Sequence, residues 1–170
     1  MLRVLTILGV ALSLAGCSTT STEVVQVLKP QALPLSIDSR FEFRKVKTFL
    51  NDPETYKPTR DEMIRFERER AQFGAVTSEE QRQRKGNYYT FFWRTRVPGE
   101  VTVRFEYRQA NLGPYTMAKE VVYPEGRGSH ATKFSVNGTS YQNEGPVTQW
   151  RAILIREKRI VALTQSFQWN

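Results

Sequence analysis

The stretch NYYTFFWRTRVPGEVTVRFEYR, residues 87–108, alternates apolar and polar side chains on both sides of a central turn signal. Successive side chains of a β-strand point to opposite faces, so this alternation predicts two strands that each bury one face. The turn signal is Pro98-Gly99-Glu100. The apolar positions on the two arms are Tyr89, Phe91, Trp93, Val97, Val101, Val103, Phe105 and Tyr107.

The short connection between these two strands predicts a hairpin. A three-residue loop places Trp93 opposite Phe105 and keeps the apolar side chains of both arms on one face. A two-residue loop would shift the register by one residue and set Arg94 beside Val103, which mixes the faces. The sequence therefore predicts the three-residue loop, with Trp93 and Phe105 as neighbours in one sheet.

Shorter β-like stretches lie on both sides of this segment. Further strands are predicted at residues 23–29, 40–50, 117–123, 130–136 and 139–142. In the second of these, Phe41, Phe43 and Val46 are expected on the buried side. Asn137-Gly138 is a strong tight-turn signal, so a turn is predicted there.

The C-terminal segment predicts a second hairpin, with its turn at Glu157-Lys158 and Leu154 opposite Val161. The side chains expected to be buried between two sheets are Trp93, Phe105, Trp150, Leu154 and Leu163. Seven or eight short strands predict a mainly β domain over residues 23–170. They favour an antiparallel β-sandwich of immunoglobulin- or fibronectin-like architecture. A small β-barrel is the alternative.

Residues 51–86 interrupt the β pattern and predict a helical insertion at about 59–85. Thr59 and Glu62 fit a capping box at the start of a helix. Its apolar residues Met63, Phe66 and Phe73 share one face, which we expect to pack on the sheet near Tyr88 and Phe92. A second short helix is predicted to begin at Thr77 or Ser78.

The N-terminus has the layout of a secretory signal peptide. A basic start with Arg3 precedes an apolar run at residues 4–14 that is too short to span a bilayer. The run closes with Leu14-Ala15-Gly16-Cys17, which resembles the lipobox of bacterial lipoproteins. That resemblance implies a signal peptide over residues 1–16. It also implies that Cys17, the one cysteine of the chain, becomes the acylated first residue of the mature protein.

The same resemblance implies a location in the cell envelope. Residues 17–22 contain the cysteine and a small polar run that predicts a flexible tether. The resemblance implies membrane attachment through acyl chains such as palmitate. Ser18 stands where an aspartate commonly favours the inner membrane of Gram-negative lipoproteins. In a Gram-negative source the sequence therefore predicts the outer membrane.

The composition excludes few partners but favours some. The formal net charge is +8, spread along the chain. A basic surface can attract nucleic acid, anionic lipid or acidic glycan. For an exported protein we expect the last two classes and no nucleic acid. The alternative interpretation is a soluble surface that is basic without any specific partner.

Motifs for catalysis or for a cofactor are weak. His130 is the single histidine, and its neighbour Ser129 would point to the opposite face of a strand. The sequence has no nucleophile elbow, no nucleotide-binding glycine pattern and no metal-ligand spacing. Paired carboxylates of a glycosidase could still be brought together by folding, with Glu100, Glu106 and Glu120 as ordinary candidates. The sequence therefore predicts no cofactor and no enzyme.

One group of residues suggests a partner surface. In the predicted hairpin, Tyr88, Phe92, Arg94 and Arg104 share the face opposite the core. An aromatic and arginine face can stack on sugars or bind a protein. The alternative is that the helical insertion covers this face.

The main hypothesis is a non-catalytic binding or assembly module with a protein or envelope-polymer partner. The alternatives are a lipid-anchored hydrolase or carbohydrate-processing enzyme, and a binder of anionic glycan or lipid.

Overall fold

The computed structural model of the chain describes residues 23–169. The predicted signal peptide, Cys17 and the tether lie outside the described residues. The strands are β1 (Val25–Val27), β2 (Phe41–Asn51), β3 (Gly86–Thr95), β4 (Val101–Gln109), β5 (Met117–Tyr123), β6 (Gly128–Asn137), β7 (Val147–Arg156) and β8 (Arg159–Gln165). The α-helices are α1 (Glu62–Gln72), α2 (Ser78–Arg84) and α3 (Gly138–Glu144).

The strands form two antiparallel sheets in two layers. The larger sheet has the order β1-β5-β4-β7-β8, and the smaller sheet has the order β2-β3-β6. Their inner faces enclose one main core, which includes Phe91, Trp93, Phe105 and Leu154. This arrangement confirms the predicted β-sandwich. The barrel alternative is wrong, because the two sheets do not close into one continuous sheet.

The predicted hairpin between β3 and β4 is wrong. β3 pairs with β2 and β6, whereas β4 pairs with β5 and β7. Residues 96–100 therefore cross from one sheet to the other, and the apolar faces meet across the core. The ring centroids of Phe91 and Phe105 are 5.6 Å apart. The alternating pattern correctly predicts which side chains are buried. It fits two strands paired in one sheet as well as two strands that face each other from opposite sheets.

β-Bulges adjust which side chains reach the core. In β2 the register shifts between Phe43 and Lys45, which lets both Phe43 and Val46 pack against the core as predicted. In the C-terminal hairpin the turn at Glu157-Lys158 forms as predicted, with both residues at positive φ. A bulge before Ile155 then pairs Leu154 with Ala162 instead of Val161.

The bulge in the C-terminal hairpin changes the predicted burial. It turns Leu163 toward solvent, so this residue is 40% exposed and the prediction of its burial is wrong. Trp150 is only half-buried, although it packs against the core. Trp93, Phe105 and Leu154 are fully buried as predicted.

The segment after β6 is helical where an extended strand was predicted. Asn137-Gly138 starts α3 instead of a tight turn. Gly138 has a φ of +59° and its N–H donates to the carbonyl of Lys85 at 3.1 Å. A Cβ at this position would lie 2.4 Å from Oε1 of Gln83. The glycine therefore permits both a left-handed backbone and close contact with the helical insertion.

The two helices of the insertion form near the predicted positions. α1 is capped by Asp61, whose side chain accepts from the N–H groups of Met63 and Ile64, so Thr59 is not the N-cap. α2 starts at the predicted place, with Thr77 as N-cap in a capping box with Glu80.

Candidate functional site

Helix α1 leaves its apolar side chains exposed. Met63 is 68% exposed, Phe66 57% and Phe73 82%. The prediction that this stripe packs on the sheet is therefore wrong. The helix is held near its C-terminal end by polar contacts, in which Gln72 donates to Oδ1 of Asn51 and Arg84 donates to the carbonyl of Phe73. These contacts fix the helix to the end of the sheet without burying its apolar face.

An open groove of 1360 Å³ lies between α1 and the smaller sheet. The helix contributes Met63, Ile64, Glu67, Arg70 and Ala71, whose spacings of three and four residues place them on one helical face. Within this set, Arg70 and Glu67 form an ion pair at 2.6 Å. The part of the groove wall near the start of α1 is therefore apolar. Farther along the helix, the charges of Glu67 and Arg70 neutralise each other.

The floor of the groove is the outward face of β3. Tyr88, Thr90 and Phe92 line the groove and alternate with the buried core residues of the same strand. Tyr88 packs against Phe49 of β2, with ring centroids 6.3 Å apart. Burial raises the pKa of Tyr88, whose hydroxyl donates to the carbonyl of Arg84 at 2.7 Å. The floor is thus aromatic and is tied to the helical insertion.

A row of cations crosses this floor. The strand registers place Lys47 and Lys133 on either side of Thr90. Neighbouring strands lie about 4.8 Å apart, so the α-carbons of the two lysines are about 10 Å apart. Nζ of Lys47 lies 5.9 Å from the centre of the Phe92 ring. Within residues 23–169 neither lysine forms a salt bridge.

A third lysine reaches the groove from the larger sheet. Lys119 of β5 is half-buried, and its ammonium donates to the backbone carbonyl of Ser135 at the edge of β6. Burial lowers the pKa of Lys119, since desolvation disfavours the charged ammonium. Together with Lys47 and Lys133 it makes the groove cationic.

Replacing Lys119 with methionine should stabilise the fold at neutral pH. The folded state holds this ammonium at a cost, because its pKa lies below the ordinary value of about 10.4. This cost in folding free energy falls as the pH rises from the pKa of Lys119 in the folded state to its pKa in the unfolded chain. Above both pKa values the side chain is neutral in both states, so the cost is gone. We therefore expect the advantage of Lys119→Met to shrink at alkaline pH. Urea unfolding of both proteins at neutral and alkaline pH measures this difference. An advantage that grows with pH would contradict the assignment.

The four residues of the predicted partner surface do not form one surface. Tyr88 and Phe92 lie in the groove. Arg94 is exposed on the same sheet face, one alternating position beyond Phe92, and is paired in register with Glu42 and Ser129. Arg104 lies in the larger sheet and is 8% exposed. Its predicted place on the same sheet face as Phe92 is wrong, because β3 and β4 belong to different sheets.

Arg104 belongs to an ion network on the outer face of the larger sheet. Its Nε donates to Oε1 of Glu120 at 2.5 Å, and its Nη1 donates to the carbonyl of Gln31. Glu106 accepts from Nε of Arg151 at 2.6 Å and lies 3.6 Å from Nη1 of Arg104. Two of the carboxylates considered for glycoside hydrolysis are therefore engaged by arginines.

His130 packs against a core tryptophan. Its ring stacks on Trp93, with centroids 4.4 Å apart, and its Nε2 lies 3.0 Å from the carbonyl of Arg127.

Across residues 23–169, no group of three His, Cys, Asp or Glu side chains is placed to hold a metal ion. In that same part of the chain, no helix has the length and apolar character needed to cross a membrane.

The lysines of the groove are not predicted by the sequence patterns. Lys47 and Lys133 occupy polar positions of alternating strands, which is a visible signal, but only the strand order β2-β3-β6 aligns them across Thr90. Lys119 was missed because it sits at an inward position of β5, where an apolar residue is the ordinary expectation.

Comparison with known proteins gives little further information. No protein-family model matches the chain, and no curated protein matches it. A crystal structure of a protein from Akkermansia muciniphila is similar to it, with 14% sequence identity and a TM-score of 0.42. The similarity covers 76% of this chain and 70% of the other.

Proposed function

We propose that this protein is a non-catalytic binding module of the cell envelope, anchored through an acylated Cys17, with the groove beside α1 as its binding surface. In a Gram-negative source the site of attachment is the outer membrane. The observation that carries the proposal is the exposed pair Met63 and Ile64 of α1 beside a sheet face whose Lys47 and Lys133 form no salt bridge within residues 23–169.

The exposed face of α1 supports a binding role. Short isolated helices are marginal in water, and most gain stability by burying an apolar face. Here Met63 and Ile64 line the groove but remain 68% and 42% exposed. Contiguous exposed apolar surface of this kind commonly marks an interaction site. A bound partner would cover these side chains.

The chemistry of the groove favours binding over hydrolysis. Among residues 23–169, Glu67 is the one acidic side chain in its lining, and it is paired with Arg70. Glycoside hydrolysis needs two carboxylates that flank the scissile bond, and an active site usually encloses its substrate. A component of the envelope that carries negative charge suits this surface better than a glycoside substrate.

A photo-crosslinking side chain at Thr90 tests this binding role. Thr90 lies in the centre of the groove floor, whereas Thr139 in α3 is exposed and lies outside the groove lining. In whole cells we expect a defined adduct from position 90 and none from position 139. Equal labelling from both positions, or no adduct from position 90, would refute the groove as the binding surface.

The anchor is tested by replacing Cys17 with serine. Two acyl chains give stable membrane association, whereas one is marginal and a serine at this position carries none. We expect Cys17→Ser to move the protein from the membrane fraction to the soluble fraction, or to block its maturation. Fractionation followed by immunoblotting measures the distribution. Retention in membranes of a variant that has lost residues 1–16, to the same extent as the wild type, would disprove the anchor.

A further inference from the structure

We propose that the groove binds an anionic phospholipid of the adjacent bilayer, with an acyl chain along α1 and the phosphate over the lysine row. This inference rests on the proposed function, since it assigns a ligand class to the same groove. It follows from three features of the described residues, which are the aliphatic wall, the uncompensated cations and the position of the N-terminal strand.

The apolar part of the groove fits an acyl chain. Aliphatic side chains line it from two segments, with Met63 and Ile64 on α1 and Val24 before β1. The volume of 1360 Å³ exceeds the range of about 300–1,000 Å³ found for drug-sized ligands. An extended, flexible apolar chain therefore suits the groove best.

The cationic part fits a phosphate. Lys47 and Lys133 flank Thr90, and four-carbon side chains can bring both ammonium groups toward one anion above that residue. Lys119 adds a third ammonium at the edge of β6. The carboxylate of Glu67 is already paired within α1, so it does not offset these charges. The groove therefore places positive charge next to an apolar wall, which matches the two parts of an anionic phospholipid.

The start of the described chain places the groove near the membrane. Val24 and Gln26 line the groove. Seven residues lead from Cys17 to Val24, and seven residues reach at most roughly 25 Å when fully extended. An anchor at Cys17 would therefore keep the groove within that distance of the bilayer surface. The bilayer, rather than free fatty acid, is the source of the ligand that this position favours.

Vesicle binding by residues 17–170 carrying Cys17→Ser tests the inference, because this form of the mature chain has neither the apolar signal segment nor an acyl chain of its own. We expect it to float with vesicles that contain phosphatidylglycerol and not with vesicles of phosphatidylcholine alone. Lys47→Gln combined with Lys133→Gln should lower the vesicle partition coefficient about thirtyfold, since each lysine near an anionic surface contributes roughly a fivefold factor. Arg127→Gln combined with Arg159→Gln removes two exposed charges outside the groove and should change partitioning much less.

A matched pair on α1 tests the acyl chain. Met63 lines the groove and Phe66 does not, yet both are exposed, so neither substitution removes core packing. We expect Met63→Ser to weaken vesicle binding about tenfold, as loss of a buried methionine side chain predicts. We expect Phe66→Ser to change it less than about twofold. Equal effects of the two serine substitutions would overturn the inference, because they would indicate adsorption to the vesicle surface.

The remaining outcomes separate the inference from the proposed function. Absence of vesicle binding, with a Thr90 adduct to a protein or glycan, would overturn the lipid assignment and keep the binding role. Binding of oleate without binding to vesicles would overturn the bilayer as the source. Equal losses from the two charge pairs would overturn the lysine row as the phosphate site. Absence of an adduct from position 90 would overturn the proposed function itself, whatever the outcome of vesicle binding.

Discussion

Replacing Trp93 with alanine is expected to lower the free energy of unfolding by about 3–5 kcal/mol. Trp93 is fully buried, and its Nε1 donates to Oγ1 of Thr132 at 2.8 Å. Its ring also packs edge-on against Tyr123, with centroids 5.0 Å apart. Alanine would leave a cavity between the sheets and remove both contacts. Domains of this size are stable by only about 5–15 kcal/mol, so this loss is a large fraction of the total.

Urea unfolding monitored by far-UV circular dichroism measures the effect of Trp93→Ala. Phe167→Ala is the matched control, because that aromatic side chain is fully exposed and its removal should cost less than about 0.5 kcal/mol. Trp93→Phe should lose less than Trp93→Ala, since it keeps an aromatic ring between His130 and Tyr123. A loss for Trp93→Ala no greater than that of the control would contradict the described core.

Replacing Glu106 with alanine is expected to cost about 3–5 kcal/mol of folding stability. The side chain of Glu106 is 4% exposed and lies between Arg104 and Arg151. Removing the carboxylate leaves two guanidinium groups partly buried with less compensating charge. Arg104 keeps its bond to Glu120, which places the expected loss at the lower end of that range. Equilibrium urea unfolding measures it.

An exposed ion pair provides the control for Glu106→Ala. Glu67 and Arg70 form a 2.6 Å pair on the surface of α1, and surface pairs contribute only about 0–1 kcal/mol. Glu67→Ala should therefore have little effect on stability. A similar small effect of Glu106→Ala would show that the network on the larger sheet is solvated and that its arginines need no buried partner.

The groove shows how a small feature of packing creates a candidate site. The insertion follows β2 and precedes β3, so it must begin and end at one end of the smaller sheet. Polar contacts with Asn51 fix it there, and the apolar side chains of α1 remain exposed instead of packing on the sheet. Tyr88 and Phe92 consequently remain accessible from the groove instead of being sealed by the helix.

Part of the candidate site could be predicted from the sequence. Alternation along β3 assigns Tyr88 and Phe92 to the face opposite the core, and both residues line the groove. The same alternation cannot place Arg104, because it does not say which strand lies beside β3. Partner strands are chosen by long-range contacts between distant segments, which carry no local signal.

The sequence by itself determined the positions of β3 and β4 and their inward side chains, the start of α2 and the turn at Glu157-Lys158. Each of these depends on local periodicity, capping or turn chemistry, which a short segment contains in full. Only the tertiary structure decided that β3 and β4 face each other across the core, that Leu163 turns outward at a bulge, and that α1 stands clear of the sheet. The physical reason is that an apolar face specifies burial without specifying its partner, because the hydrophobic effect is not directional.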